Sequence, residues 1–134
     1  MTDEGLVWLF EAGESPPGGF HHRDHVRVAW WYLRDRPLPE ALGRFATGLQ
    51  RFAAAQGKPD LFHETITTAY LLLINERLAD GGRDLVWDEF AVRNPDLLTW
   101  KPSILARYYR EETLSSARAK RTFVMPDRLD GHNR

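Results

Sequence analysis

Apolar residues recur every three or four positions along much of the chain, a spacing typical of amphipathic helices. The stripe is already clear in segment 3–12. It is clearest in segment 39–57, where it is formed by Leu42, Phe45, Leu49 and Phe52. No segment alternates apolar and polar residues between turn signals, so the pattern predicts helices and no sheet.

Two other segments are apolar around almost their whole circumference. One begins near His22 and runs to about Asp35, and the other, predicted as the longest helix, lies within 58–82. A helix without a polar face is usually buried, so these two helices are expected at the centre of the fold. The first is preceded by a loop at 13–19, whose prolines and glycines interrupt any regular structure.

The C-terminal third is predicted to form short helices followed by an extended tail. Segment 85–100 predicts a short helix broken at Pro95, segment 101–123 predicts two short helices, and 124–134 predicts an extended tail. The whole pattern predicts one all-α domain over residues 1–134. That domain is a compact bundle of about four main helices with short C-terminal helices packed on it.

Composition removes several classes of function. The 134 residues include no cysteine, which excludes disulfides, thiolate catalysis and thiolate metal sites. A formal net charge of −1 gives no basis for binding nucleic acid or anionic membranes. The N-terminus lacks the pattern of a signal peptide, and no apolar run reaches membrane-spanning length. We therefore expect a cytoplasmic protein with no nucleic-acid or membrane partner.

Histidines are the most informative polar residues. His22 and His25 are three positions apart, so they share one face at the start of a central helix. His63 lies near the start of the other central helix, whereas His21 is expected in a loop and His132 in the tail. If the two helix starts are adjacent, three imidazoles can meet. If the helices run antiparallel along their full length, these ends are roughly 20 Å or more apart.

Three imidazoles with an open coordination position are typical of a catalytic metal, here Fe, Cu or Zn. The sequence therefore predicts a metal site at His22, His25 and His63, with Glu64 and Thr67 as catalytic groups or as groups that support the ligands. Redox chemistry is favoured over hydrolysis because the surroundings are apolar and lack a clear carboxylate base. The alternative for each of these residues is an ordinary helix cap or core position.

Four further residues are predicted to contact a substrate: Tyr108, Tyr109, Arg118 and Trp30. Arginine pairs well with carboxylates, and aromatic rings can line an apolar pocket. The simpler interpretation is that the tyrosines and Trp30 belong to the core and that the arginine lies on a solvated face.

The chain resembles a family of small bacterial proteins without an assigned activity. The resemblance covers about residues 20–127 and depends on three patterns. They are Phe-x-His-x-x-His at Phe20, His22 and His25; His-Glu-Thr-x-Thr at His63, Glu64, Thr65 and Thr67; and a C-terminal pattern at Tyr108, Tyr109, Leu114, Ser115, Ala117, Arg118, Phe123, Val124, Pro126 and Asp127. The resemblance implies that the histidines belong to one shared site.

The resulting hypothesis is a small metal-dependent enzyme, an oxidoreductase or oxygenase, acting on a small organic molecule. One alternative is a non-catalytic helical module whose histidines hydrogen-bond a small ligand. Another is a structural or oligomerising protein whose histidines are only caps or polar core, and a homodimer is left open.

Overall fold

The computed structural model describes residues 1–128, and within that range it contains helices and no β-strand. This confirms the predicted all-α bundle. The helices are α1 Asp3–Ala12, α2 His22–Asp35, α3 Leu38–Ala55, α4 Glu64–Arg77, α5 Trp87–Arg93, α6 Pro95–Leu98, α7 Glu111–Leu114 and α8 Ala117–Arg121. Two 3₁₀ turns, Pro59–Leu61 and Ile104–Arg107, precede α4 and α7, and a π-helical turn at Leu78–Gly82 extends α4.

Helices α2 and α4 are the central pair. They pack against each other and against α3, while α1 covers α2 and α3. Val28, Trp30 and Leu33 of α2 and Ile74 of α4 have no solvent exposure. Their burial confirms the expectation that the two helices without a polar face occupy the interior.

Histidine side chains and backbone define where both central helices begin. Asp24 lies in the first turn of α2, and its carboxylate accepts the backbone N–H of His21, the residue just before the helix, at 2.9 Å. At the start of α4, Nδ1 of His63 accepts the Ile66 N–H at 3.1 Å. Each bond satisfies an N–H that has no partner inside the helix, so both helix starts are fixed by local chemistry.

The segment predicted to be the longest helix is divided, and the prediction was wrong there. Pro59 begins a separate 3₁₀ turn, and α4 starts only after His63. At its other end the backbone leaves the helical region at Asp80 and Gly81, where Gly81 takes a φ of 86°. The longest helix is α3, with 18 residues.

The C-terminal third also has more pieces than expected. Segment 101–123 contains a 3₁₀ turn and two α-helices, and Trp100, just before it, is 44% exposed. Residues 124–128 form no helix, as predicted. The rest of the predicted tail, including His132, lies outside the described residues.

Candidate functional site

A cavity of about 720 Å³ lies where α2, α3 and α4 meet. Most of its lining side chains are apolar, and its aromatic wall consists of Phe20, Phe45, Phe52, Phe62, Tyr70 and Trp100. Four histidines also line it: His21, His22, His25 and His63. We call this space the histidine cavity. The starts of α2 and α4 therefore meet at one place, which was the condition for any shared histidine site.

His22 is held from one side and open on the other. Its Nε2–H donates to the Leu97 carbonyl at 2.9 Å, and its ring lies 5.0 Å from Tyr70 and 4.8 Å from Trp100, centre to centre. Burial lowers the pKa of His22, while the bond to Leu97 works in the opposite direction. In the neutral ring that donates from Nε2, Nδ1 carries the lone pair and can accept a hydrogen bond.

Both nitrogens of His63 are already used. Nε2–H donates to the Leu114 carbonyl at 2.8 Å, and Nδ1 accepts from Ile66 as the cap of α4. The ring thus fastens α7 to the start of α4. A ligand or metal could bind a His63 nitrogen only by replacing one of these two bonds.

His25 differs from its neighbours because its ring nitrogens have no hydrogen-bond partner within residues 1–128. Its ring packs edge-on against Phe20, with centres 4.6 Å apart, and more distantly against Phe52. Burial lowers the pKa of His25 to about 4, and the proximity of His22 adds to this while Asp24 opposes it. His25 is therefore neutral at pH 7, with one donor and one acceptor available to a molecule in the cavity.

The metal site predicted from sequence is not preformed. Among residues 1–128, no group of three or more His, Asp or Glu side chains is placed so that it could hold a metal ion. The three predicted ligands line one cavity, but His63 is committed elsewhere. Coordination by His22, His25 and His63 stays a prediction.

The other predicted site residues separate into two groups. Thr67 lines the histidine cavity, whereas Glu64, Trp30, Tyr108, Tyr109 and Arg118 are not among its lining residues. Glu64 accepts a hydrogen bond from Thr68 at 3.3 Å, one turn along its own helix. Trp30 lies in the core against Trp87 and Phe90.

Several residues of the three sequence patterns described above hold the C-terminal segment in place. The Thr65 hydroxyl donates to the Thr122 carbonyl at 2.9 Å and accepts the Val124 N–H at 3.1 Å. The buried Tyr109 hydroxyl donates to the Val124 carbonyl at 2.6 Å. Asp127 accepts from the Arg110 backbone N–H and from the Thr113 hydroxyl. These contacts give residues of the C-terminal pattern a structural role.

Tyr70, Lys58 and Trp100 are among the lining residues that sequence reasoning did not assign to the site. Tyr70 shares a helix face with His63, and its hydroxyl bonds Ser103 at 2.7 Å, so helical spacing could have found it. Lys58 and Trp100 lie in irregular segments, where no periodicity predicts which way a side chain points. Only the tertiary arrangement brings them to the cavity.

Comparison of the chain with protein-family models, with curated proteins and with solved structures finds no match. Within residues 1–128, none of the helices has the length and apolar character needed to cross a membrane.

Proposed function

We propose that this protein binds a small, largely apolar organic molecule in the histidine cavity. The observation that carries the proposal is the pairing of a wide apolar space with a His25 ring that has no hydrogen-bond partner in the described part of the chain. The volume of about 720 Å³ lies within the roughly 300–1,000 Å³ typical of small-molecule sites. Such sites combine an apolar wall with a few polar groups that orient the ligand.

The polar groups have distinct roles in this proposal. His25 offers a donor and an acceptor from its neutral ring, and His22 offers an acceptor at Nδ1. Their ring positions are restricted by Phe20, Tyr70 and Trp100. Because these contacts exist without a ligand, binding would cost little side-chain ordering.

A direct test is a titration with naphthalene-2-methanol, a neutral aromatic alcohol, followed by ¹H–¹⁵N NMR. We expect saturable shifts confined to amides around the histidine cavity. Leu49→Trp adds bulk to the cavity wall and should abolish them. The matched control is Leu72→Trp, which makes the same change on the exposed face of α4, outside the lining. Shifts that do not saturate, or that survive Leu49→Trp, would contradict the proposal.

A metal-dependent oxidoreductase is the second candidate, favoured by the fact that His22, His25 and His63 line one cavity. A bound Fe or Cu would supply redox chemistry to a substrate in the same space. The imidazole donors suit these metals, but His63 has both nitrogens engaged, so the residues do not fit a three-histidine site as they stand.

Metal content separates the two candidates. Elemental analysis of the purified protein after reconstitution with Fe(II), Cu(II) or Zn(II) would be compared for wild type, His63→Ala and His21→Ala. Near-stoichiometric metal that is lost only in His63→Ala supports the metalloenzyme. Less than about a tenth of an equivalent in wild type rules it out and leaves ligand binding as the proposed function.

A further inference from the structure

The ionisable groups that line the histidine cavity, as far as the structure describes the chain, are bases and one phenol. Among residues 1–128, its ionisable lining groups besides the four histidines are the Lys58 ammonium, which carries a formal positive charge, and the Tyr70 phenol. None of the Asp and Glu residues that the structure describes is among the lining residues. A ligand that enters this space therefore meets hydrogen-bond donors and one ammonium, with no carboxylate to repel an anion.

The two carboxylates directly next to His25 and His63 in sequence form hydrogen bonds at the helix starts. Asp24 accepts the His21 backbone N–H at 2.9 Å, and Glu64 accepts the Thr68 hydroxyl at 3.3 Å. Both bonds are local to the start of a helix, where negative charge is also favoured by the helix dipole. The two acids next to the histidines in sequence are thereby kept out of the cavity lining.

Lys58 differs from these carboxylates because it has no ion-pair partner within residues 1–128. Its backbone lies in the short connection between α3 and α4, and its side chain is exposed. An ammonium at an open cavity wall can pair with a ligand charge without first breaking a bond inside the protein. His25 supplies a second uncommitted donor from α2.

We propose that the ligand of the histidine cavity is a small aromatic or alicyclic monocarboxylate. This inference rests on the proposed function, since it names the chemical class of the molecule that binds there. The ring of the ligand packs among Phe20, Phe52 and Phe62, and its carboxylate is held by the uncommitted donors of His25 and Lys58. Hydrogen bonds to an ionised group are about twice as strong as those to a neutral one.

The same lining argues against other charge classes. A cationic ligand would have no carboxylate to pair with in the cavity. A phosphate ester would bring close to two negative charges to a wall with one lysine and no arginine, and most of its surroundings would be apolar. A ligand with one delocalised negative charge on an apolar body suits both the single lysine and the apolar side chains of the wall.

The test compares two probes of the same shape, naphthalene-2-carboxylate and naphthalene-2-carboxamide, by isothermal titration calorimetry at pH 7. For wild type we expect the carboxylate to bind about tenfold more tightly, as charge-assisted hydrogen bonds allow. Lys58→Gln should reduce carboxylate affinity by about threefold or more and leave amide affinity unchanged. Lys120→Gln, an exposed lysine on α8 outside the cavity, is the matched control and should change neither.

His25→Phe provides a second variant, because a phenyl ring can keep the packing against Phe20 while removing the donor. It should reduce carboxylate affinity about tenfold. Equal or tighter binding of the amide by wild type would overturn the inference but leave the proposed function intact. Failure of both probes would overturn the inference as well, and the neutral alcohol titration would then decide separately whether the cavity binds any ligand.

Discussion

The two ends of α4 use polar side chains in opposite ways. At the C-terminal end, Arg77 donates to Asn94 at 2.8 Å and makes two parallel bonds to Asp96 at 2.9 Å. The amide of the buried Asn94 also donates to the Phe90 carbonyl. At the N-terminal end, His63 faces a cavity of about 720 Å³ in which His25 has no partner among the described residues.

This difference shows which polar groups maintain the fold and which are free to bind something else. The Arg77 cluster joins α4 to α6, and its charged groups are paired with each other and with Asn94. At the cavity, Nε2 of His22 bonds a carbonyl of α6 and Nε2 of His63 bonds a carbonyl of α7. The ring of His25 makes no hydrogen bond within residues 1–128. We therefore expect stability effects to be concentrated at one end of α4 and binding effects at the other.

The largest stability effect is expected at Arg77. Arg77→Met keeps an apolar stem but leaves Asn94 and Asp96 without the guanidinium that they share. Loss of a charged hydrogen-bonding partner in a partly buried site should lower the free energy of unfolding by roughly 2 kcal/mol. Chemical denaturation of the variant beside wild type measures this directly.

Arg107→Met is the matched control, because Arg107 bonds the same Asp96 carboxylate at 3.2 Å but is 61% exposed. An exposed ion pair contributes little, so this change should lower stability by less than about 0.5 kcal/mol. Equal losses of unfolding free energy in the two variants would show that the parallel bonds and the burial of Arg77 do not increase its contribution to stability.

A second effect on stability should distinguish two neighbouring positions of α3: Gly48, which packs against Phe10, and Leu49, which lines the histidine cavity. A Cβ at Gly48 would lie 2.6 Å from Cε2 of Phe10, a fully buried ring that stacks against Phe45. Gly48→Ala should therefore lower the free energy of unfolding by about 1 kcal/mol, because overpacking exceeds the gain in helix propensity. Leu49→Trp, one residue along but facing the cavity, adds more atoms and should have a smaller effect on stability.

Gly43→Ala is the control for helix propensity in the same helix, since nothing lies within 4 Å of a Cβ at that position. It should raise the melting temperature, reflecting a stabilisation of about 1 kcal/mol. If Gly48→Ala were as stabilising as Gly43→Ala, the interior beside Phe10 would be less tightly filled than the structure indicates.

Much of the fold was predictable because helical spacing and end signals are local. The bounds of α1 and α2 follow from the apolar stripe of 3–12 and from the pair Asp24 and Pro37 around the second helix. The division of 58–82 was harder to see. His63 acts as a helix cap there, a role that its residue type does not suggest, and the apolar run hides the start of α4.

The site was predictable only in part, for a physical reason. Spacing placed His22 and His25 on one face, but their meeting with His63 depends on how α2 packs on α4. The hydrogen bonds that engage His63 come from α7 and from its own helix start, so its availability as a ligand could not be read from the sequence. Tyr108, Tyr109 and Arg118 were expected at a substrate site and are not among the residues that line the cavity.

Stability should also depend on pH through His25, which a variant that cannot titrate tests. Burial lowers the pKa of His25 to about 4 in the folded protein, whereas an unfolded histidine titrates near 6.5. Between these values the unfolded chain binds a proton that folded His25 does not. This group therefore stabilises the fold fully above about pH 6.5, and its contribution is lost as pH falls toward 4.

His25→Phe should remove that part of the pH dependence, so from pH 8 to pH 5 it should lose less stability than wild type, by up to about 2 kcal/mol. His22 on the same helix lowers the pKa of His25 and Asp24 raises it, and both remain in the variant. At pH 8 the imidazole is neutral in both folded and unfolded wild type, so any difference there reports packing against Phe20 alone. Parallel stability curves from pH 8 to pH 5 would mean that folded His25 takes up protons as readily as the unfolded chain. The histidine cavity around His25 would then be more hydrated than its apolar lining implies.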